Sequence, residues 1–137
     1  MKFSANLGLL WSELPLLDRV YKAKEKNFDA IEFQFPYEVD ANELKKAIDN
    51  INLPIIGINT IKGDVSKGDN GLNAIPSKVQ EARVAIDQAI EYAKVIGSKN
   101  IHFMCGITEQ NHNSLKTLVE NLQYAVSQLN DTNIGLV

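Results

Sequence analysis

The sequence predicts an α/β fold, a partial (β/α)8 barrel made of four strand-helix units and the opening of a fifth parallel strand. Two observations predict it. Short β-prone runs alternate with longer segments of helical period, and the strand residues sort by parity into one polar and one apolar face. The whole of residues 1–137 reads as a single domain, the N-terminal half of such a barrel, with no low-complexity linker.

The candidate strands are Lys2 to Leu7, Ala30 to Phe35, Pro54 to Thr60, Asn100 to Cys105 and Asn133 to Val137. Each neighbouring pair encloses one helix. The first, near Pro15 to Lys26, is marked by Leu14, Leu17, Val20 and Tyr21. The second follows Asp40 and runs through Leu44, Ala47, Ile48 and Ile51. The third repeats Val79, Ala82, Ile86, Ala89, Ala93 and Ile96 at three- and four-residue steps. Ser77 is positioned to cap it with Gln80 reciprocating, and Gly97 supplies a left-handed exit. The fourth carries Leu115, Leu118, Leu122, Ala125 and Leu129.

Helices between consecutive strands return the chain to the same end of the sheet, so the strands are parallel and the crossovers right-handed. An open sheet or a barrel satisfies this. Parity favours the barrel: Ser4, Asn6, Glu32, Gln34, Gly57, Asn59, His102 and Met104 share one face, and Phe3, Ala5, Ile31, Phe33, Ile56, Ile58, Ile101 and Phe103 share the other. An open sheet clad with helices on both sides needs two apolar faces. A barrel needs only its outer face to receive helices, and can line its mouth with functional groups.

Composition is that of an ordinary globular chain, with 45% hydrophobic and 23% charged residues and a net charge of −3. That balance gives no electrostatic footprint for nucleic acid. Cys105 is the only cysteine, and no basic, apolar leader precedes Asn6, which fits a reducing cytoplasm. No apolar run approaches the roughly 20 residues that cross a bilayer, so no membrane partner is expected.

Glu32 and Gln34 fall mid-strand, where a charged or amide group is costly to bury without a partner. They read either as polar anchors at a barrel mouth or as structural hydrogen-bonders. His102 carries the same two readings, and its shared parity with Asn6, Glu32 and Asn59 adds weight to a ligand-facing one. Asn59, at a strand end before a long loop, is the leading substrate-facing candidate. That loop, Ile61 to Pro76, contains Gly63, Asp64, Gly68, Asp69, Asn70 and Gly71. It reads as a lid or phosphate cradle or, more commonly, as plain turn chemistry, since it has neither Walker spacing nor a GxGxxG pattern. Arg83 can reach a substrate carboxylate from the third helix, although an i,i+4 contact with Asp87 is the commoner use. Cys105, His102 and His112 invite a zinc hypothesis, against which a buried, inert thiol is the commoner state. No GxSxG, HExxH or paired carboxylates complete a catalytic set.

Several stretches resemble the hydroxypyruvate isomerase family, within the xylose isomerase-like TIM barrels that also include tagatose epimerases and endonuclease IV. They are Phe3-Ser-Ala-Asn-Leu7, Glu32-Phe-Gln-Phe-Pro-Tyr37, Asn59-Thr60 with Gly63-Asp64, Gly68-Asp-Asn-Gly71, Ala89 to Gly97, and Ile101-His-Phe-Met-Cys-Gly106. Ile61-Lys62 departs from the pattern, since relatives usually carry prolines there. The resemblance implies isomerisation of a small hydroxy-oxo acid, hydroxypyruvate to tartronate semialdehyde, using two carboxylates and a divalent cation, Mg or Mn, in a complete relative.

In relatives those carboxylates and metal ligands come from strands five to eight. No catalytic residue and no metal ligand is therefore expected in this chain, and no turnover by it alone. The resemblance carries over a substrate-side set: Asn6, Glu32, Asn59 and His102, with Arg83 and Asp64 beside them. Two readings stand. One is an isomerase seen through an N-terminal fragment. The other is a non-catalytic half-barrel that binds a small hydroxy acid and forms a homo-oligomer through its open strand edges. A sugar epimerase-like barrel is a further alternative, and an endonuclease IV-like one is disfavoured by the acidic balance.

Overall fold

A computed structural model describes residues 1–137. Its elements run β1 (Ser4–Asn6), α1 (Leu16–Glu25), β2 (Ala30–Glu32), α2 (Ala41–Ile51), β3 (Ile58–Asn59), α3 (Val79–Ile96), β4 (Asn100–His102), α4 (His112–Gln128) and β5 (Gly135–Leu136). Every strand pairing is parallel: Ala5 faces Ile31, Ile58 faces Ile101, and Ile101 faces Leu136. A parallel bridge between Ile31 and Ile55 joins the two sets into the order β1-β2-β3-β4-β5. The sheet does not close, and β1 and β5 each pair on one side only.

The apolar face forms the core. Ala5, Ile31, Ile58, Ile101 and Phe103 are buried beneath the helices, in one cluster of 23 buried residues. Burying a large aliphatic side chain stabilises by about 1.5–3 kcal/mol, so this face supplies the main drive to fold. Phe3 is an exception at 60% exposure, because it precedes the helix-covered part of β1.

Strict alternation fails in the third strand. Ile31 sits opposite Ile55, yet the Phe33 N–H donates to the Gly57 carbonyl at 3.0 Å, which sets Phe33 opposite Ile58. Two steps on β2 are matched by three on the strand leading into β3, a β-bulge. Ile55 and Ile58 are therefore both buried, whereas Ile56, expected on the apolar face, is half-buried and turns with Gly57 toward the concave side. The regular ladder shrinks to Ile58–Asn59 for the same reason.

The helices follow their periodicity with three adjustments. In α1 the buried residues are Leu16, Val20 and Ala23, so Tyr21 is exposed rather than core. In α2 the expectation and the structure coincide: Asp40 accepts the N–H groups of Asn42 and Glu43, and Leu44, Ala47, Ile48 and Ile51 are buried. Before α3, Pro76–Lys78 forms a 3-10 turn, which places Ser77 outside the cap position; the helix starts at Val79 without a side-chain cap. Gly97 ends it at φ 76°, as the sequence indicates. In α4 the buried face is Ser114, Thr117, Asn121 and Ala125, and Leu115 is 61% exposed. The rotation has a cause: Asn121 donates to the Asn73 carbonyl at 3.0 Å, docking the helix through its polar seam.

The Ile61 to Pro76 loop is ordered by turn chemistry. Asp64 accepts the Ser66 N–H, and Asp69 accepts both the Asp64 N–H and the Lys78 ammonium. Gly71 pairs with Cys105 in an antiparallel bridge, so this loop is bound to the one after β4.

Candidate functional site

Parallel register decides which side chains become neighbours. Asn6 is paired with Glu32, and Asn59 with His102, at the C-terminal ends of their strands. Adjacent strands lie about 4.8 Å apart, so each pair is side by side on the polar face. The four line one concavity of about 260 Å³ whose wall also includes Asn100, Ile56 and Gly57.

Their hydrogen bonding separates Asn6 from the other three. The Asn6 side-chain oxygen accepts the Gly8 N–H at 3.0 Å, which shapes the loop after β1. The side chains of Glu32, Asn59 and His102 bond to no group of the chain, and His102 is exposed. Below them, Asn100 donates to the Ile56 carbonyl at 2.7 Å and secures the bulge.

The backbone under these residues is pinned by side chains the sequence reading did not single out. Tyr37 donates its hydroxyl to the Asn59 carbonyl and packs edge-on against Tyr92 at 5.2 Å. The Tyr92 hydroxyl lies 2.9 Å from the Pro36 carbonyl and 2.8 Å from that of Val39, bracing the loop after β2. Burial raises the Tyr37 phenol far above its usual range, and pushes Tyr92 up to about 12 with help from the Asp40 and Glu38 carboxylates. Asn73 ties the next two strand ends together, donating to the Thr60 hydroxyl and the Met104 carbonyl. Asn121 carried one legible signal, because an asparagine in mid-helix is unfavourable unless its amide is used elsewhere. Asn73 carried none.

Two of the six candidates lie outside the concavity. Asp64 is exposed and caps the Val65–Lys67 turn; the Ser66 hydrogen bond and then Lys67 hold its carboxyl below the usual range. Arg83 lies over the Tyr124 ring at 4.9 Å, and it is the Tyr124 hydroxyl, at 2.9 Å, that reaches Asp87. Cys105 is exposed rather than buried. It shares a separate cleft of about 570 Å³ with His112, at the start of α4, while His102 faces the other concavity.

No three His, Cys, Asp or Glu side chains come close enough to share a metal ion. These residues alone therefore do not make a divalent-cation site.

A parallel sheet with helices on one face and an open polar mouth on the other defines part of a (β/α)8-type barrel. Residues 20–137 match the family described as Xylose isomerase-like TIM barrel, and the chain belongs to that family. Among curated proteins it is similar to the hydroxypyruvate isomerase of Escherichia coli, at 37% identity over 100% of this chain and 54% of that one. It is also 37% identical to the 2-oxo-tetronate isomerase of Haemophilus influenzae, over 90% of this chain and 49% of that one. A solved structure titled AP endonuclease, family 2, from Brucella melitensis superposes with a TM-score of 0.91 at 34% identity, covering 98% of this chain and 53% of its own. A sugar phosphate isomerase/epimerase from Parabacteroides distasonis shares the fold at TM-score 0.72 and 11% identity, covering 98% of this chain and 49% of its own. The chain spans about half the length of the curated relatives it matches. No helix is long and apolar enough to cross a membrane.

Proposed function

We propose that this chain supplies the substrate-orienting half of an isomerase acting on small 2-oxo hydroxy acids of the hydroxypyruvate kind. One observation carries the reading: Asn6, Glu32, Asn59 and His102 converge in one concavity, and the last three have side chains engaged with no protein group. The isomerase names of the curated relatives support it.

In such a reaction a proton leaves the carbon beside a carbonyl and is returned to its neighbour, through an enediolate whose charge sits on two adjacent oxygens. The Asn59 amide and a His102 ring N–H are suited to donate to those oxygens, and Glu32 to accept from a substrate hydroxyl. Asn6, already bonded through its oxygen, keeps its amide N–H groups to offer. These groups bind and orient; the proton-transferring carboxylates and the cation implied for the family belong to the other half of the barrel.

Titrating the labelled chain with hydroxypyruvate while recording amide and imidazole resonances tests this. Shifts centred on Asn6, Glu32, Asn59 and His102 are expected, with affinity weakened about tenfold in Asn59→Ala. No shift at those positions would overturn it.

A second reading, association with another copy, is favoured by the one-sided pairing of β1 and β5 and by exposed Leu115, Val119 and Val126 along α4. Light scattering decides it, a monomer at high concentration counting against it.

A further inference from the structure

The loops that crown the concavity are poor in usable positive charge. Between strands and following helices, the only basic residues are Lys62, Lys67 and Lys78. Lys67 is paired with Asp64, and Lys78 with Asp69. Arg19, at the start of α1, is spent on the carbonyls of Leu7, Ser12 and Leu14. Glu32 in the concavity and Glu13, Glu38, Asp40 and Glu109 in the loops make the same end of the sheet acidic, which opposes entry of an anion.

Lys62 is different. It makes no ion pair, and its ammonium lies over the Phe35 ring, 4.8 Å from the centroid. Its backbone is fixed, the carbonyl accepting the Gly71 N–H at 2.8 Å. Phe35 lies three residues past Glu32, and Lys62 three past Asn59, so both belong to the loops that leave the strand ends carrying those residues, beside the concavity rather than among the residues that line it. Three residues span at most about 10 Å of chain, a gap that a lysine stem and a short acid cover between them. A partly exposed cation–π contact is weak beside a charge-assisted hydrogen bond, so the ammonium can leave the ring for a carboxylate.

We infer that Lys62 is the specificity-determining residue that receives the substrate carboxylate, resting on Phe35 until an anionic substrate enters. This rests on the function proposed above, and it explains how an acidic mouth accepts an acid. The site then divides the work: Lys62 beside the concavity takes the carboxylate, and Glu32, Asn59 and His102 within it take the hydroxyl and carbonyl oxygens.

The test compares two ligands that differ only at that end. Hydroxypyruvate carries the carboxylate; dihydroxyacetone replaces it with an uncharged hydroxymethyl group. Each is titrated by NMR into the chain, into Lys62→Gln and into Lys62→Arg, the amide spectra reporting that each variant is folded. The expected result is that Lys62→Gln weakens hydroxypyruvate about tenfold and leaves dihydroxyacetone unchanged, while Lys62→Arg keeps the preference for the acid. Equal loss for both ligands, or hydroxypyruvate binding at the concavity unaffected by Lys62→Gln, overturns the role of Lys62; in the second case the proposed function survives. If the unaltered chain binds neither compound, the functional reading fails and the role of Lys62 falls with it.

Discussion

Asn73 donates its side-chain amide to the Thr60 hydroxyl at 3.3 Å, inside the protein, where both residues are about 1% exposed. The same amide reaches the Met104 carbonyl at 3.0 Å, and the Thr60 hydroxyl also accepts the Met104 N–H at 3.1 Å. One loop side chain therefore joins the residue after Asn59 to the residue two past His102. Truncation removes two hydrogen bonds from a buried site, while the Met104 carbonyl keeps the residue 73 N–H and the Thr60 hydroxyl keeps the Met104 N–H, so Asn73→Ala is expected to lower unfolding free energy by about 1–3 kcal/mol. Urea denaturation followed by circular dichroism measures this, and an unchanged midpoint would remove the network from the account of the site.

The close approach of the two loops makes a sharper prediction. A Cβ on Gly71 would lie 2.6 Å from the Met104 carbonyl oxygen at φ 107°, whereas one on Gly68, at φ 88°, would meet nothing within 4 Å. Gly68→Ala bears only the left-handed penalty of about 1–2 kcal/mol. Gly71→Ala adds a clash with backbone and is expected to cost at least twice as much. Equal thermal shifts in the two variants would contradict the packing described.

Asp69 and Lys78 give stability a pH dependence. The Lys78 hydrogen bond, opposed by desolvation, holds the Asp69 carboxyl below its ordinary range, and the same bond raises Lys78. A depressed carboxyl contributes stability above its unfolded value of about 3.9 and loses it as pH falls through the folded value. The raised ammonium contributes fully below about 10.4 and loses it as pH rises beyond. Asp69→Asn should flatten the acid limb of a plot of melting temperature against pH. A limb as steep as that of the unaltered chain would show the pair contributes nothing.

Tyr37 predicts the alkaline behaviour. Burial raises its phenol well above the unfolded value of about 10, so folding retains the proton and stability falls as pH rises past that value. Its ultraviolet ionisation signal is expected to appear together with the loss of helical dichroism, not before it. Tyr37→Phe should weaken the alkaline dependence and cost about 1 kcal/mol at neutral pH through the lost bond to the Asn59 carbonyl.

Much of the mouth was legible in the residues because parallel pairing and alternation are local rules. Asn6, Glu32, Asn59 and His102 share parity, and the structure sets them side by side. The α2 helix was equally plain, since its cap and buried stripe lie within one segment. What escaped was decided by distant partners. The bulge before β3 depends on how Phe33 meets Gly57, and no parity count over Pro54 to Thr60 contains that. Leu115 looked like core until α4 turned its Asn121 toward Asn73. Tyr37 and Tyr92 act through backbone carbonyls well away in sequence, and a carbonyl leaves no mark on a sequence.

The back-to-back seating of Gly71 and Gly106 limits how this face of the protein can vary. A side chain at either position would strike the other loop's backbone, and the Ala74 N–H to Cys105 carbonyl bond at 2.7 Å holds the contact shut. The segments after β3 and β4 thus form one unit, in which lengthening either would require re-cutting the other. The segments after β1 and β2 meet at a flexible side chain instead, where a Cβ on Gly8 would lie 2.7 Å from the Gln34 Cγ. Grafting new residues to alter what the mouth accepts has more room there, and an engineer seeking a different substrate would begin at the exposed Leu9 and Leu10, clear of the carbonyls that Arg19 holds, rather than in the long loop that draws the eye.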